Sequence, residues 1–427
     1  MATPSPLDLN NVQGDILEGL GKKNENFFFF RIIAGQASSF RDHLRSIIPL
    51  ITTTTEAKAF HQTISDGKKE ANKNGKPFPL IENSAVNIAF SQKGLQALGI
   101  TDDIGDVGFK DGMLNDASVT NADGSPGLGD DLTDWDAKFK TDIHGVIAVC
   151  ANSKLVLQVT LEKIKGIFQV GRKGATLEEV ILLAGHTRPG AEDGHEHFGF
   201  NDGLSQPAVK DVDAGVISEP GVSPVRQGII LLGREGDSVA RPSWALDGSF
   251  LVFRYLKQLV PEFDAFLQAN ALKDVPFPPA PGDPTGAELL GARMMGRWKS
   301  GAPIDLTPLR DDPALAHSQD FRFDPNSQER CPFAAHIRKT NPRADLDFVG
   351  PNATEIRRII RRGIAFGPEV TQQEKKEMRS SSDEKLERGL LFVCYQANLS
   401  QGFQFMQKSE FQVTAILIAA EYELLTD

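Results

Sequence analysis

Residues 26–35 read NFFFFRIIAG, an unbroken aromatic and β-branched run closed by glycine. Such a run predicts the central strand of a sheet. The segment after it, QASSFRDHLRSIIPLI (36–51), places Phe40, His43, Leu44, Ile47 and Ile48 at helical spacing. The order strand then helix returns in AVNIAF and SQKGLQALGI (85–100), with Ser91 as the N-cap, and again in IHGVIAVCAN and SKLVLQVTLEKIKGIF (143–168). In the second half SFLVFRYL and KQLVPEFDAFLQANAL (249–272) repeat it, and GLLFVCYQ (389–396) reads as a strand before a helix begun by QGFQFMQKSEF (401–411). Strand–helix units in both halves, broken by irregular stretches at 102–135 and 186–224, predict two related α+β domains, each a sheet with helices packed on it.

The chain has 427 residues, a length that favours two or three domains. Its net charge of −11 argues against a nucleic-acid partner, which would need a basic face. No run approaches a membrane span. Three cysteines, Cys150, Cys331 and Cys394, make no disulfide framework. The first residues, MATPSPLDLNNVQGDILEGL, lack a charged segment followed by an apolar one, so no signal peptide is expected in them.

Four segments carry groups capable of chemistry. In RCPFAAHIRKTNPR (330–343), His336 stands just ahead of Arg338, Lys339 and Arg343, charges that disfavour its protonation. A neutral imidazole there is either a satisfied core side chain, the default, or an axial ligand to haem iron with cations nearby for the propionates. Cys331 is a rival ligand, while a zinc site lacks the paired spacing it needs. In HEHFGFNDGLSQP (195–207), Gly199 and Gly203 flank Asp202 and let the backbone carry a carboxylate into a confined space, although an ordinary Asp-Gly turn reads the same way. His195 and His197 mimic a metal pair without a third ligand. In IRRIIRRGIAFGPEV (356–370), Arg361 and Arg362 close what reads as a helical run, where the helix dipole favours them. In GLLFVCYQ, Leu390 and Phe392 share one face of a strand whose default role is core. The acidic residues Asp345, Asp347 and Glu355 suit Mn(II) by type but equally a solvated face, and no manganese site is assigned.

Together, NNVQGDILEG near the start, GFNDG at 199–203, CPFAAHIRKTNPR at 331–343 and GLLFVCYQ resemble the dye-decolourising peroxidases, in their fungal-type branch, over nearly the whole chain. The resemblance implies an α+β fold of two ferredoxin-like domains, each an antiparallel sheet with helices packed on it, placed here at 1–215, carrying the distal G-x-x-D-G motif, and 216–427, binding one haem b. It implies hydrogen peroxide as oxidant, small aromatic reductants as partners, and oxidation of dyes and phenols through a ferryl haem intermediate; the alternative is a haem-binding or haem-transfer protein without turnover. His336 matches the proximal iron ligand, Asp202 the distal carboxylate beside Gly203, and Arg361 the distal arginine. Arg338 and Arg343 fall to the cofactor's propionates or to the loop, and Leu390 and Phe392 to the apolar pair facing the distal side of the haem. Relatives of this branch are usually secreted, so the expectation is a secreted protein whose leader this chain lacks, with the cytoplasm as alternative; the oligomeric state stays open.

Two departures bear on substrate. Phe366 stands where relatives often carry tyrosine, and Glu410 where they often carry tryptophan, positions associated in the family with electron transfer from bulky substrates. Phenylalanine resists oxidation and glutamate cannot serve, which leaves Trp244, Trp298, Tyr255, Tyr395 and Tyr422 as relay candidates.

Overall fold

In the computed structural model, which describes residues 6–78, 81–120, 127–213, 215, 219–273, 284–350 and 352–411, the aromatic run becomes strand β1, Asn24–Ile32. β1 lies between β3 (Gly145–Ala151) and β4 (Leu177–His186), and β2 (Ser84–Phe90) pairs with the far side of β3, giving the antiparallel order β2-β3-β1-β4. Helix α1 (Ala37–Ile47) follows β1, α2 (Thr54–Lys73) precedes β2, and α3 (Lys154–Ile167) follows β3. The central position explains why four successive residues are apolar rather than alternate ones: Phe27, Phe28, Phe29 and Phe30 are all buried. Phe28, Phe30 and Ile32 face the core formed with Phe40, Ile147, Leu161, Ile164 and Phe168. Phe29 meets Phe139 edge-on, with ring centroids 5.4 Å apart.

The starts of these helices follow side-chain chemistry. Thr53 and Glu56 close a capping box at α2, and Ser91 accepts the Gly94 amide, 3.1 Å away, at a short helix over Gln92–Ala97. Gly94 is required by a close approach: a Cβ there would sit 1.9 Å from the carbonyl oxygen of His144.

The chain divides into two compact units, 1–187 with 231–251, and 188–230 with 252–427. This differs from the expected division at 215. The GFNDG segment belongs to the second unit, because its turn is tied to that unit's residues: Asn201 donates to Lys299, and Arg188 to Glu369. The second unit's sheet has β8 (Gly389–Gln396) at its centre, with β5 (Phe250–Lys257, from Val252 onward in this unit) on one side. On the other side lie the short strands β6 (Ile360–Arg361) and β7 (Ile364–Phe366), both antiparallel to β8. Helices α4 (Val260–Ala269), α5 (Gly286–Met295) and α6 (His336–Thr340) belong to this unit. A core of Leu289, Ala292, Trp298, Ile304, Phe323 and Cys331 underlies α5 and reaches Ala335, the residue before His336.

Phe40 is fully buried and stacks on Phe168 at 5.0 Å and Phe30 at 5.8 Å. Phe40→Ala is expected to cost about 3–5 kcal/mol and to lower the urea midpoint of the first unit, followed by circular dichroism. An unchanged midpoint would remove Phe40 from the core.

Candidate active site

The stretch from Arg188 to Gln206 is irregular because its hydrogen bonds go to side chains and distant backbone rather than to a ladder. Glu196 organises it: its carboxylate accepts the amides of Phe198 and Phe200, both at 2.8 Å, and the side chain of Gln258. Burial raises its pKa from the ordinary carboxylate value, and the hydrogen bonds only partly oppose that. Gly199 and Gly203 have φ of +93° and +77°, the left-handed region the sequence anticipates for them. The Asp202 amide donates to Gly194 at 2.9 Å, and this aims the Asp202 carboxylate at Arg361.

Arg361 lies on a strand and not at the end of a helix, which corrects the reading of IRRIIRR as helical. β-Branched Ile359 and Ile360 followed by Gly363 suit extended backbone, and Arg361 pairs with Cys394 across β6 and β8. Gln206 holds its backbone from the other side: the Gln206 side chain accepts the Arg361 amide at 3.0 Å and donates to the Arg361 carbonyl at 2.9 Å. The sequence reading singles out no role for Gln206; an amide that grips a strand by both backbone groups leaves no spacing signal. So fixed, Arg361 places Nη1 2.5 Å from Asp202 Oδ1 and donates Nη2 to the Leu204 carbonyl at 2.8 Å. The Gly203 amide also donates to Oδ1, at 2.6 Å. Burial by itself would push the Asp202 pKa up, but the Arg361 charge and the Gly203 amide prevail and hold it below the usual carboxylate range.

His336 opens α6. It keeps accessible surface although burial dominates the shift of its pKa, as expected of a side chain that faces an enclosed space. Burial and then the nearby Arg361 charge lower its pKa to about 4, leaving the imidazole neutral at ordinary pH. The expected cause was different: Arg338, Lys339 and Arg343 do not figure in this shift. Leu390 and Phe392 stay partly accessible on β8, a strand paired on both sides, where Leu391 and Val393 are fully buried. Asp202 and Arg361 are each about one-third accessible, at 33% and 32%. Asp202, Arg361 and His336 act on one another's charge, so these three accessible side chains lie near one another.

The basic residues divide. Arg338 is buried and committed to its loop: it pairs with Asp345 at 2.7 Å and donates to the carbonyls of Asp324, Ser327 and Cys331. It holds the segment before His336 and has no donor to spare for a propionate, so its assignment to the cofactor is corrected. Arg343 donates to the carbonyls of Gln319 (3.0 Å) and Phe321 (3.2 Å), and lies close to Arg297 and Arg358. Burial and then the Arg297 charge lower Arg343 to about 10, burial and then the Arg343 charge lower Arg358 to about 10, and burial and then Arg361 do the same to Arg297. Arg297 and Arg358 are absent from the sequence reading, although Arg358 lies within the quoted IRRIIRR.

The other ligand candidates fall away. Burial pushes the Cys331 thiol up to about 12, so it is no thiolate. His197 places Nε2 2.8 Å from the Phe366 carbonyl, and among the described residues no group of three His, Cys, Asp or Glu could hold a metal ion. Asp345, Asp347 and Glu355 pair with three separate arginines, Arg338, Arg322 and Arg226. Glu410 has no described side chain, and Tyr422 lies outside the described residues.

Two family models match the chain: the DyP dimeric alpha+beta barrel domain over 11–189, and the Dyp-type peroxidase C-terminal domain over 292–415. The dye-decolorizing peroxidase of Mycena epipterygia is 45% identical over 420 residues, covering 94% of this chain and 71% of that protein. Among solved structures, an ancestral D-type dye decolorizing peroxidase superposes with a TM-score of 0.85 at 52% identity, covering 95% of this chain and 84% of that one. A dye-decolorizing peroxidase in complex with 2,6-dimethoxyphenol does so with a TM-score of 0.79 at 42% identity, covering 95% and 84%. With this fold, and relatives this similar along most of its length, the chain belongs to the fungal branch of the dye-decolourising peroxidase family and is a peroxidase.

Proposed function

We propose that the chain binds one haem b in the hollow bounded by His336, Asp202, Arg361, Leu390 and Phe392, and uses hydrogen peroxide to oxidise dyes, phenols and similar aromatic reductants. The observation that carries the reading is the Asp202–Arg361 pair, 2.5 Å apart, in a hollow whose wall also holds a neutral imidazole. The residues fit the group. His336 would hold the haem iron through an uncharged ring nitrogen. Leu390 and Phe392 offer an apolar wall. Arg343 and Arg358 form a deep surplus of positive charge suited to two propionates.

The haem, when bound, supplies the iron at which the peroxide O–O bond breaks and the oxidising equivalents are stored. The chain supplies the proton management. Asp202 Oδ1 is held by Arg361 and the Gly203 amide, whereas Oδ2 takes no hydrogen bond from the described residues. Oδ2 is therefore the oxygen that accepts the proton of incoming peroxide and returns it to the leaving oxygen. Arg361 keeps Asp202 ionised in acid and places fixed positive charge where negative charge develops as the O–O bond lengthens. A folded pKa below the ordinary value keeps the base competent as pH falls, until it protonates below that ordinary value.

Four outcomes are expected. Asp202→Asn should slow the reaction with peroxide by at least about 100-fold in stopped-flow absorbance while haem content is retained; an unchanged rate removes Asp202 from the chemistry. His336→Ala should abolish stable haem incorporation, read from the absorption spectrum of the purified protein. Arg358→Gln should weaken haem retention about tenfold, as loss of a charge-assisted hydrogen bond worth about 1.5–3 kcal/mol requires, measured by haem transfer to excess apomyoglobin. By contrast, Arg338→Gln should chiefly lower the unfolding midpoint, since it strands Asp345 and three carbonyls.

A further inference from the structure

We infer that Tyr255 is the residue through which this chain takes electrons from reductants too bulky for the hollow, with Glu387 receiving its phenolic proton. The inference rests on the peroxidase reading above and deepens it. A phenol is oxidised readily only when its proton leaves with the electron, so an oxidisable tyrosine needs a base already bonded to its hydroxyl. Tyr255 has one. Its hydroxyl donates to Glu387, a carboxylate that is 22% exposed and whose other oxygen pairs with Lys257 at 2.5 Å. The Tyr255 ring is half-buried, with solvent at part of it.

Its buried side leads inward. The ring stacks on Phe366, centroids 4.6 Å apart and planes 23° from parallel. Phe366 in turn lies over Gly389: a Cβ built there would be 2.8 Å from the Phe366 ring. Gly389 opposes Phe366 in the β7–β8 register and is followed directly by Leu390, a half-buried residue that the function proposed above places at the hollow. A continuous packed path, ring to ring to strand, thus joins a partly exposed phenol to the site wall through a single sheet layer. Phe366 cannot itself be oxidised, but it fills the gap between Tyr255 and the sheet.

The other described tryptophan and tyrosine of the second unit lack one part of this arrangement. The Trp298 indole donates to the Thr307 carbonyl at 2.8 Å, which takes no proton, and Trp298 is 4% exposed. Tyr395 is 5% exposed. Trp244, and Trp135, which the sequence reading passes over, belong to the first unit, and none of the residues lining the hollow does.

The step balances. Reduction of hydrogen peroxide to water by two electrons leaves the enzyme short of two. Tyr255 returns one electron to the site and its proton moves to Glu387, leaving a neutral tyrosyl radical and a carboxylic acid. A phenolic or dye reductant then gives one electron to Tyr255 and releases its own proton to water, while Glu387 returns its proton to the phenolate oxygen. A second cycle supplies the second electron.

The test uses the holoenzyme mixed with stoichiometric peroxide and no reductant, frozen within milliseconds, and examined by electron paramagnetic resonance. The visible absorption of the same mixture reports whether peroxide has reacted. A tyrosyl signal is expected in the natural chain and in Trp244→Phe, reduced at least fivefold in Tyr255→Phe and lowered in Glu387→Gln. In parallel, kcat/KM for a bulky anthraquinone dye should fall at least tenfold in Tyr255→Phe. If absorption responds to peroxide but the radical signal and dye turnover persist in Tyr255→Phe, the inference is wrong while the peroxidase reading stands. If absorption fails to respond in every variant, the peroxidase reading fails and takes this inference with it.

Discussion

The second unit is arranged around one short ion pair, Arg361 with Asp202. Two partly enclosed charges are costly unless each is held in place, and the surrounding structure is what holds them. β6 pairs with β8 to fix the arginine backbone, Gln206 grips it from the opposite edge, and the Glu196-centred turn delivers the carboxylate. The supports of Arg361 come from far along the chain. Asp202 and Arg361 are 159 positions apart, so the fold itself is what brings them together.

The same pair sets the electrostatics around it. Arg361 is the leading charge that holds Asp202 ionised, and after burial it is the leading cause that keeps His336 neutral. One guanidinium therefore fixes the protonation of a base and of a prospective ligand in opposite senses. That economy explains why Arg338, which follows His336 in sequence, can be spent on loop carbonyls.

Much of the fold is legible in the sequence because it rests on local signals. The apolar run of β1, the helical spacing of Phe40 and Ile47, and the capping serine at Ser91 are each read from a few adjacent residues and recur in the structure. The juxtaposition of Asp202 with Arg361, and the accessibility of Leu390 and Phe392, follow the motif order. What escapes is what depends on distant partners. IRRIIRR reads as helix until β8 supplies a ladder for it. Arg338 reads as a cofactor ligand until Asp345 and three carbonyls consume its donors. The division at 215 misses that the 188–230 segment folds with the second unit, because its ties run to residues such as Lys299 and Glu369 far along the chain.

Arg297, Arg343 and Arg358 repel within a buried space, and backbone carbonyls soften that repulsion without cancelling it. A dianionic guest that binds only the folded form neutralises the excess and raises resistance to unfolding by mass action. Under the function proposed above, thermal endurance in this chain is partly a property of porphyrin supply. Two preparations of identical sequence, grown with plentiful or scant iron, would melt at different temperatures, and a partly loaded batch would melt in two steps.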